Sequence, residues 1–193
     1  MHKKKNKRND EKIKVIHNYG EIKAMVKGFC LLDNKIRELY DALKANNKDT
    51  NIVIVNSNIV FGMEHILGII KIINEEVKLE THREIKNFEV EFLLRICYTN
   101  QISNAFQILN DNKNNNIVCI LFSKCLSNLQ HAYADLKNYG KENDDLIHIS
   151  EAKKLLIIEL FLKKEIKDAD MNFIKDNQKF QKLLIERSAI SLK

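Results

Sequence analysis

Two runs constrain this chain more than anything else in it: NIVIV at 51–55 and NIVCILF at 116–122. Each is short, β-branched and apolar without a break. A strand wetted on one face alternates apolar with polar residues, so unbroken runs predict strands covered on both faces, in the middle of a sheet. Whatever else the chain forms must supply that cover.

Helical periodicity between the two runs supplies it. In GMEHILGIIKIINEEVKL (62–79), Ile66, Ile69, Ile70, Ile73 and Val77 share one stripe, and Leu67 and Ile72 widen it. Two further helices follow in KNFEVEFLLRICYTNQISNAFQIL (86–109), separated near Thr99-Asn100. In the second, Ile102, Ala105, Phe106 and Leu109 recur at i, i+3, i+4 and i+7, and polar DNKNNN leads into the second strand.

On the N-terminal side, KIKVIHN and EIKAMVKGF alternate at period two around Asn18-Tyr19-Gly20, which predicts a hairpin of half-exposed strands. Asp33 is placed to cap a helix carrying Ile36, Leu39, Tyr40 and Leu43, ended by Asn46-Asn47. Beyond 122, Leu126, Leu129, Tyr133 and Leu136 mark a helix that Gly140 terminates. Ser150-Glu151 opens another to about Lys167, and a last helix runs from about Asp170 toward Ile190. Strands and helices do not alternate regularly, which favours an α+β fold over a doubly wound sheet. The expectation is a mainly antiparallel or mixed sheet of about four strands, packed by several helices in a single domain over 11–193.

Net charge is +6, and MHKKKNKRND holds five basic residues against one acid, so +4 of it sits in residues 1–10. That segment reads as a flexible basic arm, and the near-neutral remainder does not imply a uniformly basic surface. No run approaches the roughly 18 to 20 apolar residues of a membrane span, and no apolar signal core follows the basic start. These features place the protein in the cytoplasm, without a membrane partner. Cys30, Cys97, Cys119 and Cys125 lie in apolar runs without metal or redox spacing, so they read as buried thiols and no metal or cofactor is expected.

No phosphate-binding loop, dinucleotide fingerprint, zinc-protease motif or nucleophile elbow is present. Glu89 and Glu91 are two apart, which on a helix turns them about 160 to 200° from each other and argues against a shared reaction centre. With Asn87 as N-cap, both fall in the first turn, where negative charge meets the positive helix end. Glu91 is also placed to hold a basic partner.

Taken in order, VNSNIVFGMEHILGIIKII, NFEVEFLLRICYTNQISNAFQIL, the strand IVCILF and LLIERSAISLK resemble the kinase-binding small subunit of the KEOPS complex, the archaeal-type PRPK-binding-protein (TPRKB) family. The matching residues are Gly62, His65, Glu91, Phe92, Leu93, Leu94, Gln101, Ile102, Ala105, Glu186, Arg187 and Ala189, and the resemblance spans about 11–192. It departs from the family where a glycine and a basic residue often precede Gln-Ile: Tyr98-Thr99-Asn100 stands here. Asn110 also replaces a glycine after the following helix.

The resemblance implies a non-catalytic subunit. In such complexes one partner transfers a threonylcarbamoyl group to the adenosine beside the anticodon of tRNAs decoding ANN codons. An atypical small kinase acts as a supporting ATPase, and the subunit in question binds that kinase and helps hold tRNA by its 3′ CCA end. On this chain the expected kinase contacts are Leu183, Leu184, Ile190 and Leu192. The expected RNA contacts are Lys71, Arg83 and Arg95, with His65, Asn100 and Gln101 beside them. Two competing expectations are an enzyme whose site assembles from Cys97, His65 and Glu91, and a general RNA-binding module using the basic arm.

Overall fold

The computed structural model describes residues 16–19, 21–33, 35–79, 87–110, 115–162 and 174–190. Five antiparallel strands form one sheet: β1 (Ile16–Tyr19), β2 (Ile22–Leu31), β3 (Asn51–Asn56), β4 (Asn116–Ser123) and β5 (Gly140–Glu142), in the order β1-β2-β4-β3 with β5 also on β2. The helices are α1 (Ile36–Asn46), α2 (Met63–Leu79), α3 (Phe88–Ile96), α4 (Ile102–Asn110), α5 (Leu126–Leu136), α6 (Glu151–Ile157) and α7 (Asn177–Ile190). The architecture is α+β, as the irregular strand order requires.

Both sheet faces are covered, and the pleat sorts the strand residues between them. Val118, Ile120 and Phe122 face one cluster with Ala24, Val26, Val53 and Val55, closed by residues of α2, α3 and α4. Ile117, Cys119 and Leu121 face the other with Met25, Phe29, Ile52 and Ile54, closed by α1 and α5. A third cluster joins Phe61 to Ile157 and Leu162, and to Phe180 and Leu184 of α7.

Unbroken apolarity reported this double cover correctly but not strand position. β4 is central; β3 is an edge strand, its two faces under α1 and α3. Conversely β2, expected to be half-exposed, is buried from Ala24 to Phe29 because β4 flanks one side and β1 and β5 share the other. Lys27 tolerates that position through salt bridges to Glu142 at 2.5 Å and Asp144 at 2.9 Å. Between the stretches paired to β1 and β5, Gly28 lets residues 143–144 come close: a Cβ there would lie 2.2 Å from the Asn143 carbonyl oxygen.

Other boundaries also differ. Lys35, not Asp33, precedes the first turn of α1, without a side-chain cap. α5 ends before Gly140, which instead opens β5 because its missing Cβ lets it pack against the Cys30 carbonyl. Ser150 caps α6 as expected, but the helix passes into a π-helical turn at Ile158–Leu162, and the expected continuation to Lys167 lies outside the described residues. So do Ile13, Val15 and the arm at 1–10. Cys125 is exposed rather than buried, its thiol beside Ser127 at the start of α5. Among the described residues no helix is long and apolar enough to cross a membrane.

Candidate functional site

The start of α3 follows its sequence closely. The Asn87 side chain accepts hydrogen bonds from the Glu89 and Val90 amides, and both glutamates lie in the first turn. They diverge, as a spacing of two demands. Glu89 accepts from Tyr40 Oη at 3.0 Å, Lys44 Nζ at 2.8 Å and the Ile52 amide at 2.6 Å, tying α3 to α1 and β3. Glu91 turns the other way and accepts from Arg95 Nε at 3.0 Å and Nη2 at 2.8 Å.

Arg95 is only 2% exposed. Its Nη2 also reaches Glu76 Oε2 at 2.6 Å, and Nη1 donates to the Ser188 carbonyl at 2.9 Å, so one guanidinium joins α2, α3 and α7. A buried arginine needs such partners because desolvation otherwise costs several kcal/mol. The expectation that Arg95 meets RNA is corrected on this ground: its donors are committed inside the protein.

Where α3 ends, Tyr98 takes the left-handed conformation, φ 49°, that glycine usually supplies. The Thr99 amide donates to the Leu94 carbonyl at 3.0 Å and the Tyr98 amide to the Arg95 carbonyl at 3.2 Å, the paired bonds of a Schellman cap. This turn separates α3 from α4. The Tyr98 hydroxyl points inward, 2.8 Å from His65 Nε2, and its ring packs on Phe161.

His65 is fully buried near the start of α2 and is therefore not an RNA contact either. The Phe61 amide donates to its Nδ1 at 3.3 Å, which leaves the hydrogen on Nε2, donated to Tyr98 Oη. Burial lowers its pKa to about 4, so the ring is neutral at pH 7. The Phe61 carbonyl is held by Gln181 Nε2 at 2.9 Å, a second polar tie to α7. Gly62, at φ 84°, makes the turn between them, and a Cβ there would lie 2.6 Å from that same Nε2.

The residues of the enzyme reading do not converge. Cys97 lies in an apolar cluster with Phe92, Ile96 and Ala105, and burial pushes its thiol pKa up to about 12. Both His65 nitrogens are taken, and Glu91 is held by Arg95. No thiolate–imidazole pair forms from them. Among the described residues no group of three or more His, Cys, Asp or Glu is arranged for a metal ion.

What remains at the surface is Lys71 on α2 and Asn100 and Gln101 at the α3–α4 corner, all exposed. Arg83 and Leu192 lie outside the described residues. Of the expected kinase contacts, Leu184 is buried in the protein's own third cluster, Leu183 packs partly against it, and Ile190 is 61% exposed.

Sequence reasoning missed two neighbours. Val77, assigned to the buried stripe, is 49% exposed, and Leu79 is 67% exposed. Both lie at the end of α2, which runs beside α7 with Gly68 against Ile185. Ile102 and Phe106, placed on a packing stripe, are likewise about half exposed. An apolar stripe has the same spacing whether its cover comes from this chain or from another, so no sequence signal separates the two. No protein-family profile and no curated protein matches this chain.

Proposed function

We propose that this chain is a non-catalytic subunit of a KEOPS-type tRNA-modifying assembly. It docks the atypical kinase/ATPase subunit and, through it, joins the threonylcarbamoyl transferase. The observation that supports docking is the exposure of three apolar residues, Val77, Leu79 and Ile190, in the last turns of two helices that Arg95 ties together through Glu76 and the Ser188 carbonyl. An exposed apolar group on a rigid frame suits a stable partner better than solvent. The family resemblance supplies the partner's identity. Lys71 on α2, and Asn100 and Gln101 at the α3–α4 corner, are the exposed polar residues offered to tRNA, with the 3′ CCA end as its target.

Mixing the chain with the cognate kinase and tRNA over a salt series tests this reading. A co-migrating kinase complex is expected, lost on Leu79→Asp with Ile190→Asp while the unfolding midpoint is unchanged. Affinity for tRNA is expected to fall with salt and on removal of the terminal CCA. A chain that binds neither kinase nor tRNA overturns the proposal.

A further inference from the structure

The outer edge of β3 has no role in kinase or tRNA binding as proposed above, yet it is built to bond. The Ile52 amide turns away from β4 and donates to Glu89. In an antiparallel ladder, alternate residues direct their main-chain groups to the same side. β3 pairs Ile52, Ile54 and Asn56 with Leu121, Cys119 and Ile117 in turn, so Ile54 and Asn56 also direct N–H and C=O outward. Glu89 occupies the Ile52 amide alone; for the outward groups of Ile54 no partner is seen among the described residues.

Natural sheets guard such edges with lysines, prolines, bulges or covering segments. Here the edge sequence is IVIV, the chain contains no proline, and one inward carboxylate serves one rung. The edge lies on the floor of a cleft of about 1020 Å³, between Ile36 and Tyr40 of α1 on one side and Val90, Leu93, Phe106 and Leu109 of α3 and α4 on the other.

Charge and shape define the occupant. At the mouth, Lys35 pairs with Glu38 at 3.3 Å and Arg37 lies one helical turn from Asp41; on the floor, Glu89 is paired by Lys44. The wall formed by α3 and α4 presents no other ionised group. The cleft as a whole is close to neutral, and a charged ligand would bury its charge without a counterion. A second copy of this chain is excluded as the occupant, because its own β3 edge sits between the same two helical walls, which would meet before the edges did.

From this we infer that the β3 cleft takes an extended, uncharged apolar segment of a partner protein as an added strand, hydrogen-bonded to Ile54 and Asn56 and walled by α1 on one face and α3–α4 on the other. Main-chain bonds give such a strand its affinity, and the apolar walls select its side chains. Six residues of β3 offer about 20 Å of edge, enough for a segment of about four to six residues.

The probe is a capped, fluorescein-labelled hexapeptide alternating Ile and Thr, titrated into the full chain and read by anisotropy. Hydrogen exchange at the Ile54 amide is followed in parallel. Saturable binding is expected, with slower exchange at Ile54 and affinity about tenfold or more weaker for a peptide N-methylated at alternate residues, which removes the donors facing β3. Phe106→Asp, at a half-exposed position, is expected to weaken binding about as much without lowering the unfolding midpoint. Absence of binding, equal binding of the N-methylated peptide, unchanged exchange at Ile54, or association of two copies through this edge would each overturn the inference.

Discussion

The Tyr98 hydroxyl lies 2.8 Å from His65 Nε2, and the residue that makes this bond is also the one non-glycine among the described residues with positive φ. The two facts are linked. A left-handed non-glycine residue costs on the order of 1–2 kcal/mol, and Tyr98 tolerates it because its ring packs on Phe161 and its hydroxyl satisfies a fully buried imidazole. Tyr98→Phe keeps the ring but leaves the His65 Nε2–H without its acceptor, and is expected to lower stability by about 1–3 kcal/mol. Tyr98→Gly relieves the backbone yet loses ring and hydroxyl together, and is also expected to destabilise. Urea unfolding of both variants checks this; a Tyr98→Phe protein as stable as the parent would show that the hydrogen bond contributes nothing.

The same imidazole makes stability depend on acid. Its folded pKa of about 4 lies below the ordinary 6.5, so as pH falls through 6.5 the unfolded chain takes up a proton that the folded protein refuses. Stability from this group is therefore undiminished above pH 6.5, declines between 6.5 and about 4, and then levels off. Between pH 7 and pH 5 the loss is about 2 kcal/mol. Burial also lowers the His17 pKa, so the comparison needed is between the parent and His65→Gln. Denaturant midpoints are expected to fall more steeply with acid in the parent; parallel profiles would remove His65 as the cause.

Local chemistry was the most legible part of this chain. Asn87 and Ser150 cap helices because a side-chain acceptor beside free amides needs nothing distant, and the break at Thr99-Asn100 follows from polar residues between two apolar stripes. Legibility fell where the deciding partner is remote in sequence. NIVIV announces cover on both faces but not which strand lies beside it, so the edge position of β3 was unreadable. Gly140 resembles a helix terminator until Leu31, far back in the chain, pairs with it and makes it a strand residue. Arg95 and His65 read as surface groups because their partners Glu76, Ser188, Tyr98 and Phe61 are brought in by packing, and no periodicity encodes that.

Lys71 offers a narrower check on the RNA reading. It is exposed on α2, so Lys71→Gln removes one charge at little cost to folding. If it neutralises one phosphate, the slope of log affinity for tRNA against log salt falls by about 0.7 to 0.9, with a similar loss for every tRNA tested. An unchanged slope would remove Lys71 from the proposed RNA contacts.

Arg95 carries the heaviest structural demand, because three helices depend on one guanidinium. Arg95→Met keeps much of the side-chain volume but leaves the 4%-exposed Glu91 carboxylate without its guanidinium, and the expected cost is about 3–5 kcal/mol. Adding Glu91→Leu removes that carboxylate, and the double variant is expected to recover part of the loss, giving a coupling on the order of 1–3 kcal/mol in a double-mutant cycle. The two changes are separable by location as well as by energy. Glu91 meets Arg95 within α3, whereas Arg95 also holds the Ser188 carbonyl of α7. Faster hydrogen exchange in the last turns of α7 is therefore expected to persist in the double variant after stability has partly returned. The kinase docking proposed for Ile190 should weaken with it, since that exposed side chain would no longer be presented on a fixed frame. If exchange in α7 returns to the parent rate along with stability, the Ser188 bond does not position that helix.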